Sequence, residues 1–210
     1  MDIKKQRNLL LGKKIIENLK KRHIDAYYCD SADEAIQQVL ALMPSGSSIT
    51  WGGSETIRKM GLVDAIHAAD YKVYDRDRAA TEEEKLSIYL KAFSSDFYLS
   101  SANAISEDGV IVNIDGNGNR VAAITWGPKR VIFVIGVNKV AQTVDAALSR
   151  ARGTASPTNT ARFNINTPCK VDGVCHNCRS TDCICNYIHF LRHSPKGRHI
   201  VVLVGEELGY

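Results

Sequence analysis

At 210 residues, with 24% charged and 44% hydrophobic side chains, the chain has the composition of one soluble domain with a full core. A net charge of +4 tolerates anionic ligands but is too mild to demand nucleic acid. The N-terminus lacks a secretion-signal pattern and no apolar run reaches membrane-spanning length, so a cytoplasmic protein with no membrane span is expected.

Residues 4–22 set Leu11, Ile15, Ile16 and Leu19 on one helical face, with lysines and arginines elsewhere. Without an accompanying aromatic or nucleic-acid motif, that basic face reads as solvated. Residues 25–29 suit a short strand ending in Cys29, a small buried hydrophobe. Ser31 with Glu34 three positions on forms a capping box for a helix through residue 43, and Pro44-Ser45-Gly46 breaks it. A strand at 48–51 runs directly into Gly52-Gly53-Ser54, and a helix from Ser54 or Glu55 should stop at Gly61. Strand, glycine turn and helix in that order leave backbone N–H groups free to hold an anion, although Ser54 also fits as an ordinary N-cap. A strand at 71–74 and an acid-rich helix over 81–93 follow.

Residues 96–139 pack apolar runs between clusters of Asn, Asp and Gly. Residues 96–100 begin a strand. Residues 110–114 and 121–126 read as two strands of a hairpin, joined by Asp-Gly-Asn-Gly-Asn, which accepts the positive φ of a tight reversal. Residues 130–135 are nearly unbroken apolar sequence, as in a strand buried on both faces. A helix over 143–152, a linker-like break at 153–157 and a last buried strand at 199–204 complete the chain. Alternating strands and helices predict an α/β fold: one mainly parallel, Rossmann-like sheet with helices on both faces, in a single domain spanning 1–210. Ligands of such sheets bind beyond the carboxyl ends of the strands, where the strand order switches. The Gly52 turn and the polar residues after the strands at 96–100 and 130–135 belong there.

Five of the six cysteines lie between Cys169 and Cys185. Cys175 and Cys178 form a C-x-x-C knuckle, a spacing that lets two thiolates reach one metal ion or cluster. Cys169 precedes it, and Cys183 and Cys185 follow. Soft ligands crowded on one loop suit an iron–sulfur cluster or a structural zinc, and spacing leaves both open. Free thiols or loop disulfides are the alternative, less suited to a reducing compartment. His176, His189 and His193 read as surface residues.

The segments GGSETIRKMGL, NAISEDGVIVNIDGNGNRVAAITWGPKRV and VIGVNKV resemble the lactate-utilisation (LUD) domain family. TPCKVDGVCHNCRSTDCICN is similar to its branch with a cysteine-rich C-terminal loop. The resemblance runs over nearly the whole chain. It implies a fold like that of ribose-phosphate isomerases, glucosamine-phosphate deaminases and CoA transferases. It also implies a part in oxidising lactate to pyruvate beside partner subunits that carry iron–sulfur centres. Within it, Cys169, Cys175, Cys178 and Cys185 are the expected ligands of a cluster, of 4Fe–4S type. Cys183 stands where relatives are expected to carry arginine and is a substitute fourth ligand.

Glu107, placed like the carboxylate of the CoA-transferase-like fold, is the candidate nucleophile or general base, with local capping as its plain role. For a small anionic substrate the candidates are Gly52, Gly53, Ser54, Asn103, Asn113, Asp115, Asn119, Arg120 and Lys139. Arg120 either forks onto a carboxylate or phosphate or pins its own loop through Asp115. The alternatives to a redox component are an isomerase, transferase or hydrolase of phosphorylated or CoA-linked substrates with a structural metal, or a non-catalytic assembly subunit. No complete dinucleotide fingerprint is present, so a tightly bound nicotinamide or flavin is not expected.

Overall fold

The computed structural model describes residues 2–210. Its centre is a six-stranded parallel sheet in the order β1 (Asp25–Cys29), β10 (His199–Val204), β7 (Arg130–Gly136), β4 (Phe97–Ser100), β2 (Ser48–Trp51) and β3 (Lys72–Tyr74). The central strands are the long apolar runs, and their alternate residues feed two cores. Val131, Phe133, Ile135, Val201 and Leu203 point to one side with Ile15 and Leu19 of α1 (Ile3–Lys21) and Ile124. Ile132, Val134, Ile200, Val202 and Val204 point to the other. There they meet α2 (Ala32–Leu42), α3 (Glu55–Lys59) and α4 (Leu62–Ala68) through Val39, Ile57 and Ile66. Each fully buried Ile, Val or Leu contributes about 1.5–3 kcal/mol, so the two-sided strands anchor the fold.

Helix α5 (Glu82–Ala92) starts at its Thr81 cap, as its sequence predicts. The Ser31 cap also forms, donated to by the Glu34 N–H, while the Glu34 carboxylate accepts from Asp30 N at 2.8 Å, one residue before the cap. The helix expected to stop at Gly61 does stop there, and α4 begins immediately after it.

Two expectations are overturned. Residues 121–126 are not a strand: β6 (Ile111–Asp115) is followed by helix α6 (Asn119–Thr125). Asp115 accepts from the N–H groups of Gly118 (3.3 Å) and Val121 (3.1 Å), satisfying the free helix start, and Gly118 takes the left-handed φ of 80°. Val121 and Ile124, three apart, then share the buried face. Nor is 153–157 a break. Helix α7 (Val144–Arg150) passes through a π-helical turn, Ala151–Ala155, into α8 (Ser156–Thr160). The Ser156 N–H reaches back to the Ala151 carbonyl, and this widened turn admits Pro157 early in α8.

A second sheet, unforeseen from sequence, has the order β8 (Val140–Ala141), β5 (Ala104–Ser106), β6 and β9 (Tyr187–Leu191). One face of it joins the core beside α1 through Ile105, Ile111 and Leu191. The other, with Ala104, Val112 and Ile114, packs on Ala147 and Ala151 and touches Cys185. Among the described residues no helix is long and apolar enough to cross a membrane.

Candidate functional site

Strand β2 connects outward to the edge strand β3, whereas β4 connects the opposite way, towards β7. The order therefore switches between β2 and β4, and a cavity of about 550 Å³ opens beyond their carboxyl ends. Its walls come from Gly53, Ser54 and Thr56 after β2, Arg76 after β3, Ser101 and Asn103 after β4, and Lys139 after β7. Asp115, Asn119 and Arg120 close it from the β6–α6 turn. Arg58, Lys85 and Arg162 reach the rim, Arg58 and Arg162 paired with Glu55, Arg58 also with Asp77, and Lys85 with Glu82. Glu55 and Asp77 line the cavity too, yet basic groups outnumber acidic ones.

The candidates Gly53, Ser54, Asn103, Asp115, Asn119, Arg120 and Lys139 are thus brought together. Gly52 and Asn113 stand just behind them. A Cβ on Gly52 would lie 2.7 Å from the Tyr98 hydroxyl and 3.0 Å from Arg120 Cδ, so glycine is required for Arg120 to lie against the turn. A Cβ on Gly53 would lie 2.8 Å from Nη2 of Arg76, which folds over that residue.

Arg120 is spent inside the protein. Its Nη1 donates to Asn113 Oδ1 (2.7 Å), its Nη2 to Asn103 Oδ1 (3.1 Å) and the Ile114 carbonyl (2.5 Å), and Asp115 lies 3.8 Å from Nε. Of its two expected roles, the fold uses the pin. Arg76 is less tied: one Nη donates to the Tyr89 hydroxyl at 2.9 Å, while its buried Nε has no hydrogen-bond acceptor and lies 3.6 Å from Asp77 Oδ1. Lys139 is 3% exposed, and its Nζ meets Thr56 Oγ1 at 2.8 Å and Ser101 Oγ at 3.1 Å. Burial, reinforced by the charges of Arg150 and Arg120, lowers its pKa to about 7.

Glu107 is not in this cavity. Its carboxylate pairs with Lys14 of α1 at 2.9 Å, and its carbonyl accepts from Asn18, so it docks α1 against the second sheet. Asp108 does the same through Arg22. Part of the basic face of α1 is therefore used in packing rather than left to solvent.

Cys169, Cys175, Cys178, Cys183 and Cys185 all line a second, smaller cavity of about 120 Å³, and none is in a disulfide. Arg152 reaches both Cys175 Sγ and the Asn177 side chain, and Cys169 Sγ lies 3.8 Å from Thr160 Oγ1. Burial first, then the neighbouring sulfurs, raises the Cys185 thiol to about 11. Among the described residues no three such ligand groups converge on one point at ion-binding distance. The donor set suits a thiolate-held metal centre, with five cysteines lining one cavity. His176 pairs with Asp172, and His189 lies on β9. Ile114 and Ile184 line both cavities, so one layer of side chains separates them.

Sequence reading missed Thr56, Arg76, Tyr89, Ser101 and Arg162 as wall residues. Thr56, Arg76 and Ser101 follow strand ends, so the strand-end rule reaches them. Tyr89 and Arg162 arrive from helix and loop packing, which no local pattern reveals.

The fold and the switch-point cavity define a Rossmann-like α/β protein with a predominantly basic cavity at the strand ends. The LUD domain family model matches residues 12–204, and the chain belongs to that family. Among solved structures, the crystal structure of a DUF162 family protein from Deinococcus radiodurans superposes with a TM-score of 0.53 at 14% identity. It covers 95% of this chain and 98% of that one, a likeness of fold. No curated protein matches the chain.

Proposed function

We propose that this chain is a component of an iron–sulfur oxidoreductase system that oxidises lactate to pyruvate. It binds the small 2-hydroxy or 2-oxo acid in the switch-point cavity. Cys169, Cys175, Cys178 and Cys185 hold an iron–sulfur cluster of 4Fe–4S type, with Cys183 as substitute fourth ligand. The observation that carries this reading is the shared Ile114 and Ile184 wall between the cationic cavity and the thiol-lined one. Membership of the LUD domain family supports the lactate context.

When bound, the cluster supplies one-electron redox capacity, and partner subunits with iron–sulfur centres take the electrons onward. The residues of this chain bind and orient. Arg76, whose guanidinium folds over Gly53, receives the carboxylate, and Lys139 at the end of β7 adds a hydrogen-bond donor. Arg120 holds Asn103 and Asn113 in place beneath them. Glu107, tied to Lys14 outside the cavity, has no chemical part in this scheme.

Anaerobic purification tests it. The expected product is brown and contains iron and acid-labile sulfide, both lost in a Cys175→Ser, Cys178→Ser double variant. A colourless protein carrying only zinc would mean a structural metal and end the redox assignment.

A further inference from the structure

We propose that Ser101 and Lys139 form a serine–lysine pair for acyl transfer, with the Ser101 hydroxyl as nucleophile and the Lys139 amine as its base. Ser101 follows β4 and Lys139 follows β7, and these neighbouring parallel strands fix the pair on rigid elements. The Nζ to Oγ distance is 3.1 Å, hydrogen-bond reach for a nucleophile and its base, and both residues line the large cavity.

The two hydroxyls around Nζ are not equivalent. Thr56 Oγ1 has a second partner, the Leu208 carbonyl at 3.4 Å, which accepts its proton. Ser101 Oγ has Lys139 alone among the described residues: it accepts from Nζ at 3.1 Å, and the neutral amine is the one acceptor within reach of its proton. Thr56 is therefore a positioning residue and Ser101 the nucleophile. Among the described residues, no carboxylate offsets the charge of Lys139. The charges that act on it are Arg150 on α7 and Arg120 on α6, both positive, and with burial they keep a neutral amine available near pH 7.

The step balances without a redox partner. The Ser101 oxygen bonds to the acyl carbon while its proton passes to Lys139 Nζ, and the carbonyl π pair moves onto oxygen. Collapse breaks the bond to the leaving thiolate or alkoxide, which takes the proton back from Lys139. Water or an acceptor hydroxyl then releases the acyl group, with Lys139 again holding the proton. The donor class is an activated ester or thioester on an anionic carrier. Arg58, Arg76, Lys85 and Arg162 line the remaining wall beside Glu55 and Asp77, and about 550 Å³ leaves room for a carrier group as well as a small acyl unit.

The test is covalent labelling of the purified full chain with a fluorophosphonate probe, mapped by peptide mass spectrometry, together with p-nitrophenyl acetate turnover. Expected are a label on Ser101 and a rate that rises through about pH 7. Lys139→Met should lose at least about 100-fold in rate, and Lys139→Arg should not restore it. Thr56→Val should slow labelling roughly tenfold yet leave it on Ser101. A wild-type chain with no label on Ser101 would overturn the proposal, and this needs no variant to fold. Labelling at an unchanged rate in a folded Lys139→Met chain would overturn it equally. Neither outcome touches the redox reading, which stands or falls on iron and sulfide in the cysteine loop.

Discussion

The two cavities are built in opposite ways. The larger one is cut from the ends of parallel strands, and its polar groups are held by short contacts to one another. Arg120 alone ties Asn103, Asn113 and the Ile114 carbonyl. The thiol-lined cavity hangs on a loop whose ties are mostly side chain to loop, such as Asp182 to Asn166 N and His176 to Asp172. Val171 and Val174 of that loop are exposed at 90% and 59%, so little apolar burial fixes it. A site formed by the sheet is preorganised before any ligand arrives. A site formed by such a loop would take its final shape from the metal proposed for it, because ligand binding there is also local folding.

That contrast sets the expected size of each perturbation. Arg120→Ala should cost the most, about 3–5 kcal/mol, because it strands buried acceptors and the Asp115 carboxylate; chemical denaturation would read it. A loss under about 1 kcal/mol would show that the larger cavity is not held as described. Lys139→Met should act with the opposite sign. The unfolded chain keeps this proton to about 10.5, whereas the folded one releases it near 7, so wild-type folding is penalised most at and below pH 7. The variant should gain on the order of 2–4 kcal/mol there, with the advantage shrinking as pH rises towards 10.5.

Smaller effects distinguish binding from folding. Gly53→Ala places a methyl group 2.8 Å from Nη2 of Arg76 and should push the guanidinium aside. Calorimetry with lactate or pyruvate should then show binding weaker by about tenfold, roughly 1.4 kcal/mol, with melting little changed. Cys175→Ser should have the least effect on global stability, within about 0.5 kcal/mol, while iron is lost and proteolysis within 167–187 increases. If it unfolded the whole chain instead, the loop would belong to the core and the contrast would fail.

The larger cavity was partly legible in the sequence. Long apolar runs such as residues 130–135 and 199–204 have one good use, a two-sided strand, and polar residues that follow them must gather at one edge. The second sheet was hidden because β5 and β8 are too short to show periodicity and β9 mixes Tyr187 and His189 with apolar neighbours. Helix α6 was disguised by β-branched Val121, Ile124 and Thr125, a case in which capping by Asp115 and burial of one face outweigh residue propensity. Glu107 was placed by analogy of position, but its direction depends on α1, which lies 93 residues earlier at Lys14. No local pattern carries that information.

The central claim is that a ligand in the cationic cavity is sensed by a sulfur-held centre across Ile114 and Ile184. The most direct measurement is a titration of oxygen-protected protein with lactate, followed by visible and electron paramagnetic resonance spectra. The account predicts a saturable change in the iron–sulfur signal that weakens in Gly53→Ala. A bound acid, seen by calorimetry, that leaves the signal of an intact cluster unchanged would contradict it.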